Sequence, residues 1–168
     1  MWPATLSQIP FRKAVWLLPL AWTLHEAEEW NILDWYHAYW VNVPEATPTE
    51  MRVGLAFMSL AGVGWTTCTL LPQKPKLTAF LVLPFFTLMA AANAVQHIYW
   101  AFTFQAYSPG VVTAVFLVIP SIVYPTARAV RENLIPRRYG LVYLPAHPTL
   151  APGEPFWRET SYRNRFTA

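Results

Sequence analysis

AVWLLPLAWTLHEAEEW, residues 14–30, decides how the chain is read. Eleven residues without a charge run directly into His25, Glu26, Glu28 and Glu29. Each Glu costs about 2–3 kcal/mol at the centre of a bilayer, and the apolar run, at about −0.5 kcal/mol per residue at best, barely offsets that sum. These side chains must therefore sit at a membrane boundary, pair inside a bundle, or hold a cation. Arg12 and Lys13 before a short apolar run imitate a signal peptide. HEAEEW stands where a small-residue cleavage site would be, so the segment reads as a retained helix.

Three further apolar stretches follow, at about residues 53–71, 77–104 and 111–130, each near or above the ~17 residues that cross a hydrocarbon core. The whole chain is 55% apolar and 12% charged, about half the charged share of a soluble domain. Its nine Trp, eight Tyr and ten Phe suit two membrane–water boundaries better than one soluble core of this size. Arg12, Lys13, Lys74, Lys76, Arg128, Arg131, Arg137 and Arg138 flank one side of the spans, and Arg52 stands on the other with Asp34, Glu45 and Glu50. By the positive-inside rule both termini are expected in the cytoplasm. Basic residues interleaved with apolar spans fit anionic headgroups, and no nucleic-acid module is legible.

The expected fold is all-α and polytopic: a four-transmembrane-helix bundle over residues 1–138, then an extended Pro-rich cytoplasmic tail, 139–168, whose aromatic and Arg content suits docking on a partner or headgroups as well as a loose arm. Trp30, Trp35, Tyr36, Tyr39 and Trp40 predict a short interfacial helix after the first span, broken by Pro44 and Pro48. Pro19, Pro84, Pro120 and Pro125 fall inside spans and predict bends. Gly62, Gly64, Ala90, Ala91, Ala92 and Ala94 would let helix backbones approach closely. The one cysteine, Cys68, excludes an internal disulfide and a CxxC site, and reads as a small buried filler.

Chemistry concentrates in two places. Positions 25, 28 and 29 are i, i+3 and i+4 and share a helix face, with Glu26 expected to point to water or headgroups. A His with a Glu three residues on, projecting into a bundle, is the arrangement of carboxylate-bridged metal proteins. Without a metal, two close carboxylates would tend to share a proton. On the third span Asn93 and His97 are i and i+4, and both histidines fall five to seven residues before the outer ends of their helices, so they reach similar depth. His37 and His147 lie in the interface loop and the tail and are not candidate ligands.

HEAEE at 25–29, His97 and Tyr107-Ser108-Pro109-Gly110 together resemble the uncharacterised bacterial membrane proteins named for an HxxEE motif, which combine that motif, a downstream histidine and YxPG. The resemblance covers about residues 14–125 and implies the bacterial inner membrane, but no activity. Tyr107–Gly110 is most simply a tight turn, with Tyr107 able to reach the site as a donor.

Three functions compete. The first is a membrane-embedded enzyme with its site in the outer third of the bundle. His25, Glu28, Glu29 and His97 would hold zinc or iron, Asn93 would support them, and Glu28, Glu29 and Tyr107 would do the chemistry on a lipid-like or isoprenoid substrate. Its metal-free form uses the same residues as an acid/base pair. The second is an accessory subunit of a larger membrane complex, with a haem or pigment on His25 or His97. The third, a small transporter, is disfavoured by the lack of an internal repeat. Membrane lipids are the expected partners, and homo-oligomers or a larger membrane complex are compatible. A reporter fused after Ala168 should be active only in its cytoplasmic form, and periplasmic activity would overturn this topology.

Overall fold

The computed structural model describes residues 9–40, 43 and 45–137, and every regular element among them is helical. The expected tail, 139–168, lies outside the described residues. The elements are α1 (Phe11–Ala14), α2 (Leu17–Glu28), α3 (Ile32–Tyr39), α4 (Pro48–Leu70), α5 (Pro75–Phe104) and α6 (Val111–Arg131). Of these, α4, α5 and α6 are long and apolar enough to cross a membrane. They also carry large apolar side chains on their outer faces: Phe57, Leu60, Leu88, Phe102 and Phe116 are each at least two-thirds exposed. Water would not tolerate so continuous an apolar exterior, and a hydrocarbon surround does.

The first apolar segment differs from its expected form as one unbroken helix. Pro19 has no N–H to give to the carbonyl four residues back and its ring crowds that carbonyl. The chain turns at Val15 and Trp16, where Leu18 N reaches Val15 O at 3.2 Å in a tighter turn, and α2 is left with 12 residues. Two further irregularities sit in α5 and α6, which contain π turns at Thr87–Ala91 and Ala114–Val118. In α5 the buried positions step by four across that turn (Phe86, Ala90, Ala94) and by three after it (Ala94, His97, Trp100). The wider turn thus keeps one face inward, and π turns of this kind often mark functional sites.

The second long helix starts at Pro48 rather than near Val53. Thr47 Oγ1 accepts from Glu50 N at 3.2 Å while the Glu50 carboxylate accepts from Thr47 N at 2.8 Å, a reciprocal cap with Pro48 at the first helical position. Pro48, expected as a breaker, is a starter. The short helix expected from the aromatics is α3, whose Trp35 packs against Trp100 and, edge to face, Phe104 of α5 with ring centres 5.3 and 5.4 Å apart.

α2 packs against α4 and α6, and α5 packs against the same two. The core between them includes Leu18, Trp22, Val82, Phe86, Ala94, Ala114 and Val118. Phe11 N donates to Glu132 Oε1 at 2.8 Å, so the start of α1 meets the end of α6. The 105–110 turn lies against the far end of α2, which gathers Arg12, Lys13, Lys74, Lys76, Arg128 and Arg131 at the opposite end. Two side chains depart from expectation. Cys68 is exposed, because Gly62, Thr66 and Thr69 form the inward stripe of α4 and Cys68 lies off it. Glu26 is 5% exposed, because neighbours on two sides cover more than one face of α2.

Gly62 and Gly64 separate cleanly. A Cβ on Gly62 would lie 3.3 Å from Phe86 Cζ, whereas one on Gly64 meets nothing within 4 Å. Gly62→Leu should therefore lower stability by about 1–3 kcal/mol through overpacking, and Gly64→Leu should be neutral, as read by thermal unfolding in detergent.

Candidate functional site

His25 occupies the last turn of α2 and Glu29 the residue that ends it, so an i, i+4 pair is aimed inward where the helix stops. His97 comes from α5. His25 Nε2 lies 2.8 Å and His97 Nε2 2.9 Å from the same atom, Glu29 Oε1. One carboxylate oxygen is thus shared between two imidazoles at ion-pair distance. Asn93 Oδ1, one turn before His97, also touches His25 Nε2. The imidazoles are edge to face, with centres 5.1 Å apart. Trp22 packs on His25 at 5.7 Å and Trp100 on His97 at 5.0 Å between ring centres. All three of His25, Glu29 and His97 are buried, at 0, 5 and 1% exposure.

The remaining imidazole nitrogens face hydroxyls. His25 Nδ1 is 2.8 Å from Thr113 Oγ1, and His97 Nδ1 is 3.2 Å from Ser108 Oγ. The turn that supplies them closes over the site through Gly110. This residue has φ +93°, which a side chain rarely tolerates. Its hypothetical Cβ would sit 2.8 Å from His25 Cε1, 3.0 Å from Glu29 Oε1 and 3.1 Å from His97 Cε1. Only glycine can form this wall. Trp35 Nε1 donates to Tyr107 O at 2.9 Å and ties the turn to α3.

The sequence motif and the geometry now coincide: HxxEE supplies His25 and Glu29, the downstream histidine is His97, and the glycine of YxPG lids all three. The chain belongs to the HXXEE-motif family. The matching family model, a protein of unknown function with HXXEE motif, spans residues 16–125. No curated protein and no solved structure matches the chain.

Within the HXXEE motif the two adjacent glutamates diverge. Glu28, placed with His25 by spacing, is turned to the start of α6. Its Oε1 accepts from Tyr107 Oη at 2.6 Å and Val112 N at 3.2 Å, and its Oε2 from Thr113 N at 2.7 Å and Thr113 Oγ1 at 2.5 Å. Successive helical residues point about 100° apart, so a carboxylate on one cannot share the other's partners at the end of a helix. Partial burial and the Glu28 acceptor push the Tyr107 phenol up to about 12, so it remains a donor at neutral pH. The ligating atoms of His25, Glu29 and His97 lie within 4.8 Å of one another and could hold a metal ion. Two imidazoles and one carboxylate converging in a buried space fit that role.

Sequence reasoning brought together His25, Glu28, Glu29 and His97, with Asn93 and Tyr107 around them, and the structure gathers all of these except that Glu28 and Tyr107 bond to each other beside the cluster. Sequence reasoning missed Thr113, Ser108 and the enclosure by Gly110. A hydroxyl three residues past a Pro-Gly turn is a legible sign of a helix start, but nothing in the sequence shows which carboxylate or imidazole it meets. Glu26, expected in water, is buried with Oε2 unpartnered. Gly110→Ala should disturb this site more than any other exchange of a single methyl group. We expect a loss of about 1–2 kcal/mol from the left-handed backbone alone, plus the displacement of His25, measured by thermal unfolding and by the histidine NMR signals.

Proposed function

We propose that the chain is a membrane-embedded enzyme with a divalent metal, zinc or iron, held by His25, Glu29 and His97 with Asn93 beside them. The observation that carries this reading is Glu29 Oε1: a buried carboxylate oxygen on which two buried imidazole nitrogens from two helices converge, at 2.8 and 2.9 Å. Such an oxygen is costly unless a cation shares it, and a metal ion would serve both imidazoles and the carboxylate at once. Nitrogen and oxygen donors of this kind suit zinc or iron. When bound, such an ion supplies a Lewis acid and a bound water that ionises near neutral pH.

The chain's own residues would do the rest. Trp22, Trp100 and Gly110 keep water out. Glu29 and His25 orient the reacting centre, and Glu26 places a second buried carboxyl one residue from it. In this reading α1 and α2 make one bent crossing, since Phe11 to Glu28 at 1.5 Å per residue spans about 27 Å. That yields four crossings in the bacterial inner membrane, with the basic end, and so both termini, in the cytoplasm. A groove of about 220 Å³ between α2 and α6, lined by Leu20, Leu24, Phe116, Leu117 and Tyr124, supports a lipid-like or isoprenoid substrate. Leu24 and Leu117 stand one helical turn from Glu28 and Thr113, so an apolar chain of a lipid or isoprenoid lying there would bring its end to the site.

The metal-free form of this reading keeps Glu29 as a base shared by two imidazoles. Burial of both imidazoles weighs against the subunit reading in its haem or pigment form, because neither ring presents a nitrogen to a large planar ligand. Elemental analysis of the protein purified in detergent should find about one zinc or iron per chain. Glu29→Gln and His97→Ala should lose it with helical content retained. Wild-type protein that never carries or takes up a metal would overturn the metal reading and leave the acid/base one.

A further inference from the structure

We infer that the turn at 105–110 is a lid over the buried ligand set, latched by the Tyr107 phenol on Glu28, and that a metal ion reaches His25, Glu29 and His97 by its opening. What passes the lid rests on the metal reading above. That the turn opens is a property of the chain alone.

His25, Glu29 and His97 are all buried, so nothing reaches them unless a wall moves. Trp22 packs on one imidazole from α2 and Trp100 on the other from α5. Each belongs to a buried apolar cluster, and displacing either would open the core. The wall that faces all three ligands at once is Gly110, whose hypothetical Cβ would lie 2.8–3.1 Å from them. It is part of a short connection and not of a helix, so it is the wall that moves at least cost.

The ends of this connection suit hinges. Left-handed backbone stands at each, with φ +50° at Gln105 and +93° at Gly110, and lids turn on such residues at the ends of elements. A hollow of about 500 Å³ between α5 and α6, lined by Phe102, Gln105, Tyr107, Val111 and Val115, gives the turn space to move into.

Three side-chain contacts tie it to the bundle. Tyr107 Oη donates to Glu28 Oε1 at 2.6 Å, Trp35 Nε1 donates to Tyr107 O at 2.9 Å, and Ser108 Oγ lies 3.2 Å from His97 Nδ1. Trp35 is buried and its N–H would be stranded by a break, whereas the Tyr107 ring is more than half exposed and water can replace its bond. Glu28 also accepts from Val112 N and from Thr113, so it stays in place when the phenol leaves and can receive it again. The phenol is therefore the tie that opens first. Glu28 stands outside the ligand set, so this latch is the same over a filled site as over an empty one. Losing it should speed entry and exit by one factor and leave affinity unchanged. Loss of a ligand, or of a residue that positions one, lowers affinity instead.

The test uses the full chain in detergent with Co²⁺ as the probe, its uptake followed by visible absorption and its release by capture with EDTA. Tyr107→Phe should raise both rates about tenfold, the effect of one lost hydrogen bond to a charged acceptor, at wild-type Kd. Tyr99→Phe, on the exposed face of α5, should change neither rate. In the metal-free protein, Tyr107→Phe should quicken deuterium uptake over residues 105–111 by the same factor, with α4 as protected as before. The inference is overturned if Tyr107→Phe speeds release alone and so weakens binding, if its rates or its deuterium uptake over 105–111 match wild type, or if uptake quickens across the whole bundle. A wild-type protein that binds neither Co²⁺ nor Zn²⁺ would sink the metal reading, and hydrogen exchange would then decide the lid by itself.

Discussion

The first turn of a helix needs acceptors and a carboxylate within a bundle needs donors, and in this protein Glu28 and the start of α6 answer each other. The bond between them does more than join two ends. It sets where α6 begins relative to α2, and with it the path of the 107–110 turn. Tyr107 reaches the same carboxylate from one side and Trp35 holds the turn from the other. Gly110 is thereby pressed onto His25, Glu29 and His97 at distances only a glycine allows. HEAEE, His97 and Tyr107–Gly110, far apart in sequence, are in space parts of one closed contact.

Much of this was legible before any coordinates. Hydropathy located α4, α5 and α6 to within a few residues, because an apolar run long enough to cross a bilayer has few other uses. The matched depth of His25 and His97 could be counted, since rise along a helix is a local quantity. Boundaries set by specific chemistry were harder. The start of α4 is written in Thr47-Pro48-Thr49-Glu50 as a capping box with Pro at the first position, a pattern hidden by reading Pro48 as a stop. The break at Val15 and Trp16 follows from Pro19, but a proline can bend a helix or divide it, and packing chooses between the two.

Facing was the least legible property. Spacing places residues 25, 28 and 29 on one side of an ideal helix, yet α2 ends between Glu28 and Glu29, and its end lets their side chains part. Glu26 shows the same limit from the other direction. A carboxyl between a histidine and an alanine looks like a solvated residue until a second neighbouring helix covers it. Such facts depend on which helices pack together, and a single sequence does not carry them.

The hydrogen bond between Phe11 and Glu132 has a meaning beyond the bundle's stability. The chain enters and leaves the helical body at one point. Local opening of either end would have to break that bond, so the first and last turns of the body fray together and not one at a time.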